Sequence, residues 1–481
     1  MTTSADLSQK NNRYILMSFF ALAIILRLAM LMHSPSTYQP DEIFQTTEPA
    51  HHLAFGPSVV TWEWRLGIRS WVFPGFLALV MRATSWMGPG SSGYLSGIAV
   101  VMTLISLTTV WFGFAWAEKA SGRTAAILAG FACATWWELV YFGPKTFSEV
   151  VAAHIFLPGL YLGAWTEKAD WKRRLFLAGL CCGLAVSLRI QLAPAVGLAA
   201  LYFCRTDWRR RIPIVTAGLL LPVLIFGLVD AFTWSHPFQS FYMYFYVNLI
   251  QGRSARFGVE AWYWYLPKLV RHLGPLLLFA IVGVRRSPFL GWLALTILVF
   301  HSLIGHKEAR FLYPMMPLVI TLAALGIVEC ANLISTLWKI PVAPRLVMVT
   351  GMALCVATSM LLGAMFKDWS RFSGSLIAFK RLSWEETLCG VGIGRYSWLE
   401  TGGYSYLHRN VPILLLPTSE SLTESSGSIN ALLHDGPLES VPLGFALQGC
   451  WNGICLYQRP GTCAAIPEEY EINRTLARTD Q

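Results

Sequence analysis

The chain has 481 residues, of which 55% are hydrophobic and only 13% charged, and its mean hydropathy is +0.50. Soluble domains carry about 25% charged residues, so this composition excludes a soluble enzyme or binding module and indicates a polytopic membrane protein. The net charge of +10 sits in short Lys/Arg clusters between apolar runs, a positive-inside pattern that reports orientation and makes nucleic acid an unneeded partner.

In chain order, Lys10 and Arg13 precede an apolar run at 14–32 with no A-x-A cleavage site behind it, as expected of a retained signal-anchor. A span requires about 20 apolar residues. Further candidates are 95–117, 124–141, 148–165, 174–190, 192–204, 213–230, 266–284, 287–304, 309–330 and 346–366. The segment 192–204 is too short to cross alone. Residues 71–82 begin with Trp71 and contain Pro74, which fits an interfacial or re-entrant helix. The expected fold is therefore an α-helical polytopic membrane protein of about eleven transmembrane helices with a long first outer loop, followed by a small soluble α/β domain. Residues 1–366 form the membrane domain, 33–94 its outer loop, and 367–481 the soluble domain.

Placing Lys10 and Arg13 inside puts the basic loops 118–123, 166–174, 205–211, 285–286 and 339–345 inside as well. The outer face then receives every unusual polar cluster, and intramembrane or membrane-edge charges mark function. The outer loop holds the adjacent acids Asp41 and Glu42 after Pro40, then Glu48, His51 and His52. A carboxylate here suits a general base, and its structural alternative is a helix-capping acid. In TWEWRLGIRS, Trp62 and Trp64 flank Glu63 ahead of Arg69, a pattern suited to a sugar, with interfacial anchoring as the plainer reading. In HKEARF, His306, Lys307, Glu308 and Arg310 place four ionisable groups in five positions, and Lys and Arg at this depth are natural phosphate ligands. Lys145, Glu149, Arg189, Gln191 and Asp230 add a dispersed set, open to either a phosphate or a structural ion pair. The aromatic and basic loop 240–267 suits a lipid tail and glycan.

Beyond residue 367, TLCGVGIG and VPILLL read as buried strands around a helical RYSWLETGGYSYL, and FALQGCWNGICLYQ reads as a hairpin. Gly390, Gly392 and Gly394 carry half of a nucleotide fingerprint, and tight turning suffices for them. Cys389, Cys450, Cys455 and Cys463 cluster here, allow three pairings and suggest disulfides in an oxidising compartment. A zinc site is the rival, without the usual ligand spacing. Asn473 opens an Asn-Arg-Thr sequon.

Taken together, TYQPDEIFQTTEPAHHLAFG, TWEWRLGIRS, RSARFGVEAWYWYLP and HKEARFLYPMMPL resemble family 22 of the GT-C glycosyltransferases, the polyprenyl-phosphate-mannose-dependent mannosyltransferases. The PDE-x-x-Q, TWEW and GIRS combination is most similar to its GPI-anchor branch. The resemblance covers roughly residues 14–320. It implies a catalytic carboxylate at Asp41, with Glu42 beside it, and matches Lys307, Glu308, Arg310 and Phe311 to the family's basic motif. Where the family commonly shows an Arg-Thr-x-Ser-Asn run, this chain has Lys145, Thr146, Phe147, Ser148 and Glu149, an acid in place of the amide.

The expected activity is inverting transfer of mannose from a polyprenyl- or dolichyl-phosphate-mannose donor to a hydroxyl of a glycan or glycolipid, forming an α-mannoside. Asp41 and Glu42 are the catalytic candidates. His306, Lys307, Arg310, Lys145 and Arg189 are candidates for the donor phosphate, and Trp62, Glu63, Trp64, Arg69, Glu48 and Glu149 for the sugar or acceptor. Phosphate is already a good leaving group, so neither a cofactor nor a metal is required. Membrane lipids are the remaining partners. The expected location is the endoplasmic reticulum membrane with a lumenal site in a eukaryote, or the inner membrane with a periplasmic site in a bacterium. A GT-C enzyme with another polyprenyl-linked sugar, and a lipid or sugar transporter, are the alternatives; a transporter would place its ionisable groups near the bilayer midplane.

Overall fold

The computed structural model describes residues 4–33, 35–166, 169–464 and 469–479. The chain divides into two compact units. One takes Met1–Met30, Met102–Phe232 and Tyr244–Phe366; the other takes Leu31–Val101, Thr233–Met243 and Lys367–Gln481.

The first unit is helical. Among the described residues, five helices are long and apolar enough to cross a membrane: Asn11–His33, Ser92–Thr135, Trp208–Thr233, Ala309–Trp338 and Pro344–Met365. A sixth span arises if Trp262–Leu273 and Leu276–Gly283, bent by 106° at their break, count as one. The other expected spans are shorter apolar helices, Ser148–Ala164, Ile190–Phe203 and Pro288–Leu303, or, in Trp171–Leu188, a helix with three basic residues in its first turn. Ser92–Thr135 supplies two of the expected spans, because Gly122 at φ +80° breaks its helical geometry. Close approach of backbones is visible at Gly283 and Gly326. A Cβ on Gly283 would meet the Leu322 carbonyl, and one on Gly326 would meet the Phe279 carbonyl. Small residues at such crossings let helices pack on dispersion contacts, which is what drives association where lipid already removes the hydrophobic term.

The second unit joins the outer loop to the C-terminal segment. Its sheet consists of β1 (Val391–Gly394), β2 (Ile413–Leu416), β3 (Ala431–Asp435), β4 (Ala446–Trp451) and β5 (Ile454–Gln458), in the order β2-β1-β3-β5-β4. β1 is parallel to both β2 and β3, whereas β5 is antiparallel to β3 and β4. Side chains alternate between two cores, as the two-residue period requires. Ile413, Val391, Ile393, Ala431, Leu433, Ile454 and Leu456 enter one, with the helix Ser373–Leu382 and with Ile43, Phe44 and Val59 from the outer loop. Leu414, Leu416, Leu432, Cys455 and Tyr457 enter the other. β1, β2 and the β4–β5 hairpin match the strands expected from the sequence, and β3 is an addition to them. Cys389 pairs with Cys463 and Cys450 with Cys455, which removes the zinc alternative. The Asn473 amide is engaged on both sides, accepting from Val60 N at 2.8 Å and donating to Ser58 O at 3.0 Å.

Candidate active site

The acid pair opens a helix in the second unit. Pro40 turns the chain, Asp41 and Glu42 begin the first turn, and the amides of Ile43 and Phe44 both donate to Pro40 O at 2.9 Å. Negative charge at a helix N-terminus is favoured by the unpaired amides and the helix dipole. The next turn, Ile43–Thr47, is a π-helix before α-geometry resumes at Glu48–Phe55. Single π turns are often found at functional sites because they re-aim side chains. Glu42 accepts from Thr37 Oγ1 at 2.7 Å, while Asp41 is half-buried.

Glu63 and Arg69 form an ion pair at 2.7 Å, and Gln45 Nε2 donates to the same Glu63 oxygen at 3.3 Å. Trp62 is half-buried. Trp64 differs from expectation. It is 5% exposed, donates its indole N–H to Phe44 O at 3.0 Å and packs 4.3 Å from Trp71 and 6.3 Å from Trp234. Its ring faces are used by neighbours, so it stabilises the loop instead of presenting a sugar platform. Trp234, which the sequence did not single out, closes the cluster by donating to Arg69 O at 3.0 Å.

Glu48 also departs from an acceptor role. Fully buried, its carboxylate accepts from the backbone amides of Val59 at 2.7 Å and of Tyr404 and Ser405 at 2.8 Å. It fastens the outer loop to the C-terminal segment. Burial pushes its pKa up to about 7, against the pull of those amides, which favour the anion. One turn on, His51 faces His408 at 3.0 Å, and burial lowers the His51 pKa to about 4.

The basic residues gather in the first unit around two carboxylates. Arg310 contacts Glu149 at 2.7 Å and grips Glu308 with two bonds, of 2.8 and 3.0 Å. Arg189 lies 3.6 Å from the other Glu149 oxygen, and His306 lies 3.2 Å from Glu308. The guanidinium planes of Arg189 and Arg310 rest 4.6 and 5.0 Å from the Phe311 ring. Lys307 donates to the carbonyls of Glu260 and Ile304. Burial raises the Glu308 carboxyl, but the adjacent Arg310 and His306 outweigh it and hold it well below the usual range; hydrogen bonding to Glu308 in turn raises His306. Lys145 is 1% exposed and stands 4.7 Å from the Tyr141 ring. Glu149, expected at the sugar or acceptor, is instead the buried counter-ion of both arginines, because two desolvated cations require one.

Residues 18–373 match the model of the Alg9-like mannosyltransferase family. GPI mannosyltransferase 3 of Drosophila melanogaster is 27% identical over 315 residues, covering 62% of this chain and 54% of that protein. GPI mannosyltransferase 3 of Yarrowia lipolytica is 28% identical over 408 residues, covering 81% and 75%. The chain thus spans between about half and three quarters of these relatives. Among solved structures, ArnT from Cupriavidus metallidurans bound to undecaprenyl phosphate matches with a TM-score of 0.63 over 94% of this chain and 99% of that one, at 14% identity. At that identity the likeness is one of fold, that of the GT-C glycosyltransferases.

Proposed function

Because the chain belongs to the Alg9-like mannosyltransferase family, we propose that it transfers mannose from a polyprenyl- or dolichyl-phosphate-mannose to a hydroxyl of a glycan or glycolipid, with inversion to an α-mannoside. The observation that carries this reading is the family match together with Asp41, a half-buried carboxylate opening a π-distorted helix in the outer loop. Asp41 takes the proton of the acceptor hydroxyl as its oxygen attacks the anomeric carbon, and the polyprenyl phosphate leaves from the opposite face. Glu42, held by Thr37, steadies the turn that aims Asp41. Lys307, Arg189 and Arg310, with His306 and Lys145 in support, stabilise charge on the departing phosphate. Arg310 does so as part of an ion-paired lattice, which keeps its guanidinium oriented. Trp62, Glu63 and Arg69 contact the sugar or acceptor.

The likeness of fold to a protein crystallised with undecaprenyl phosphate favours a polyprenyl-phosphate carrier. The names of the relatives favour a glycolipid acceptor, and the positive-inside charge pattern favours a lumenal site in the endoplasmic reticulum membrane of a eukaryotic cell. The test is transfer by purified protein given polyprenyl-phosphate-mannose and candidate acceptors. Asp41→Asn is expected to lower kcat by about 10²–10⁴-fold. Full transfer by that variant would refute the base assignment, and transfer from a nucleotide sugar alone would refute the donor.

A further inference from the structure

A cavity of about 490 Å³ lies within the second unit, in the range of small-ligand sites. Its position follows from sheet topology. Arg395 and Tyr396 leave the C-terminal end of β1, and Asp435 ends the parallel neighbour β3; all three line the cavity. The chain leaves β1 towards β2 on one side, and leaves β3 towards β4 on the other. Diverging exits of this kind open a crevice at the carboxyl ends of parallel strands, where open α/β sheets bind ligands.

The lining is built for a polar, uncharged ligand. Lys367, Arg371 and Arg395 are balanced by Asp368, Glu400 and Asp435, so no net charge awaits an anion. Phe372 and Tyr396 add aromatic surface. Phe372 and Arg395 both hold positive φ, at +58° and +56°. Left-handed backbone at a bulky residue is costly and concentrates at binding sites.

We propose that this cavity binds carbohydrate and holds non-reacting sugar of the acceptor. Carboxylates and guanidinium groups grip ring hydroxyls, and the aromatic rings pack on C–H faces. Only the identification of that sugar with the acceptor rests on the transfer reading. The experiment has a binding arm and a kinetic arm. Full-length protein in detergent is titrated with α-linked mannobiose by ligand-observed NMR, as wild type, as Tyr396→Leu and as Arg395→Asn/Glu400→Gln; asparagine tolerates the left-handed backbone at 395. Wild type and Asp41→Asn are expected to bind, and each of the other two variants to bind about tenfold more weakly. In an active enzyme the same variants raise the acceptor KM with kcat retained. Binding without transfer would sink the transfer reading and support this site. Absent binding, binding unchanged in both cavity variants, displacement of mannobiose by inorganic phosphate, or an unchanged acceptor KM would each overturn it.

Discussion

At the residue scale, two buried carboxylates are held in different ways, Glu149 by guanidinium groups and Glu48 by backbone amides. Glu149 carries the heaviest demand, since Arg310 and Arg189 both turn to it at 1% exposure. Glu149→Gln leaves a buried guanidinium short of its counter-ion and is expected to destabilise the first unit by about 3–5 kcal/mol, read as a lowered unfolding temperature in detergent. Glu48 and His51 provide a test of opposite signs. Glu48 has its pKa raised from 4.5 to about 7, so its contribution is full below 4.5 and is lost as pH rises towards 7. His51 has its pKa lowered from 6.5 to about 4, so its contribution is full above 6.5 and is lost as pH falls towards 4. Each shift is on the order of 3 kcal/mol, and between about pH 4.5 and 6.5 they oppose one another. Glu48→Gln should therefore leave a protein that weakens on acidification, and His51→Gln one that weakens as pH rises. Tryptophan fluorescence during thermal unfolding at pH 4.5, 5.5 and 7 distinguishes them, and parallel profiles would refute the assignment.

At the element scale, close helix contact and covalent closure are the two devices with measurable consequences. Gly326 passes so near the Phe279 carbonyl that any side chain displaces one backbone from the other. Gly326→Leu is expected to separate Met316–Trp338 from Leu276–Gly283, seen as reduced folded yield and increased cysteine accessibility at Cys330. In the second unit, the Cys389–Cys463 bridge closes a separation of 74 residues and Cys450–Cys455 one of 5. Loop entropy assigns roughly 4 kcal/mol to the first and about 2 to the second. Replacing both members of each pair by serine should show the longer bridge as the larger loss of thermal stability; the reverse order would show that denatured-state entropy is not what these bridges restrict. The π turn after Asp41 belongs to this scale as well, because it lets one short helix present both Asp41 and the buried Glu48.

At the scale of the whole molecule, the second unit is assembled from three separate stretches of chain. Ile43, Phe44 and Val59 share a core with Phe379, Val391 and Leu433, and Tyr94 donates to Ser405 O at 2.6 Å. Deleting residues 367–481 should accordingly uncover the outer loop, with rapid proteolysis between residues 34 and 70 instead of a stable shortened enzyme. The sequence by itself determined the membrane class, the order of the apolar helices, the acid pair, the basic motif and the family resemblance. All of these are local: apolar length, side-chain period and residue spacing are written along the chain. Charge clusters named the ionisable residues but not their partners. That Glu149 belongs to Arg310 across 161 positions, that Glu48 is fixed by amides 356 and 357 positions away, and that Trp64 is enclosed by Trp71 and Trp234 were decided by tertiary structure alone. A carboxylate in sequence looks the same whether it will meet a substrate, a guanidinium or three backbone amides. Only packing fixes its desolvation and supplies its partner, and those two quantities separate a group held ready for chemistry from one already used to hold the protein together.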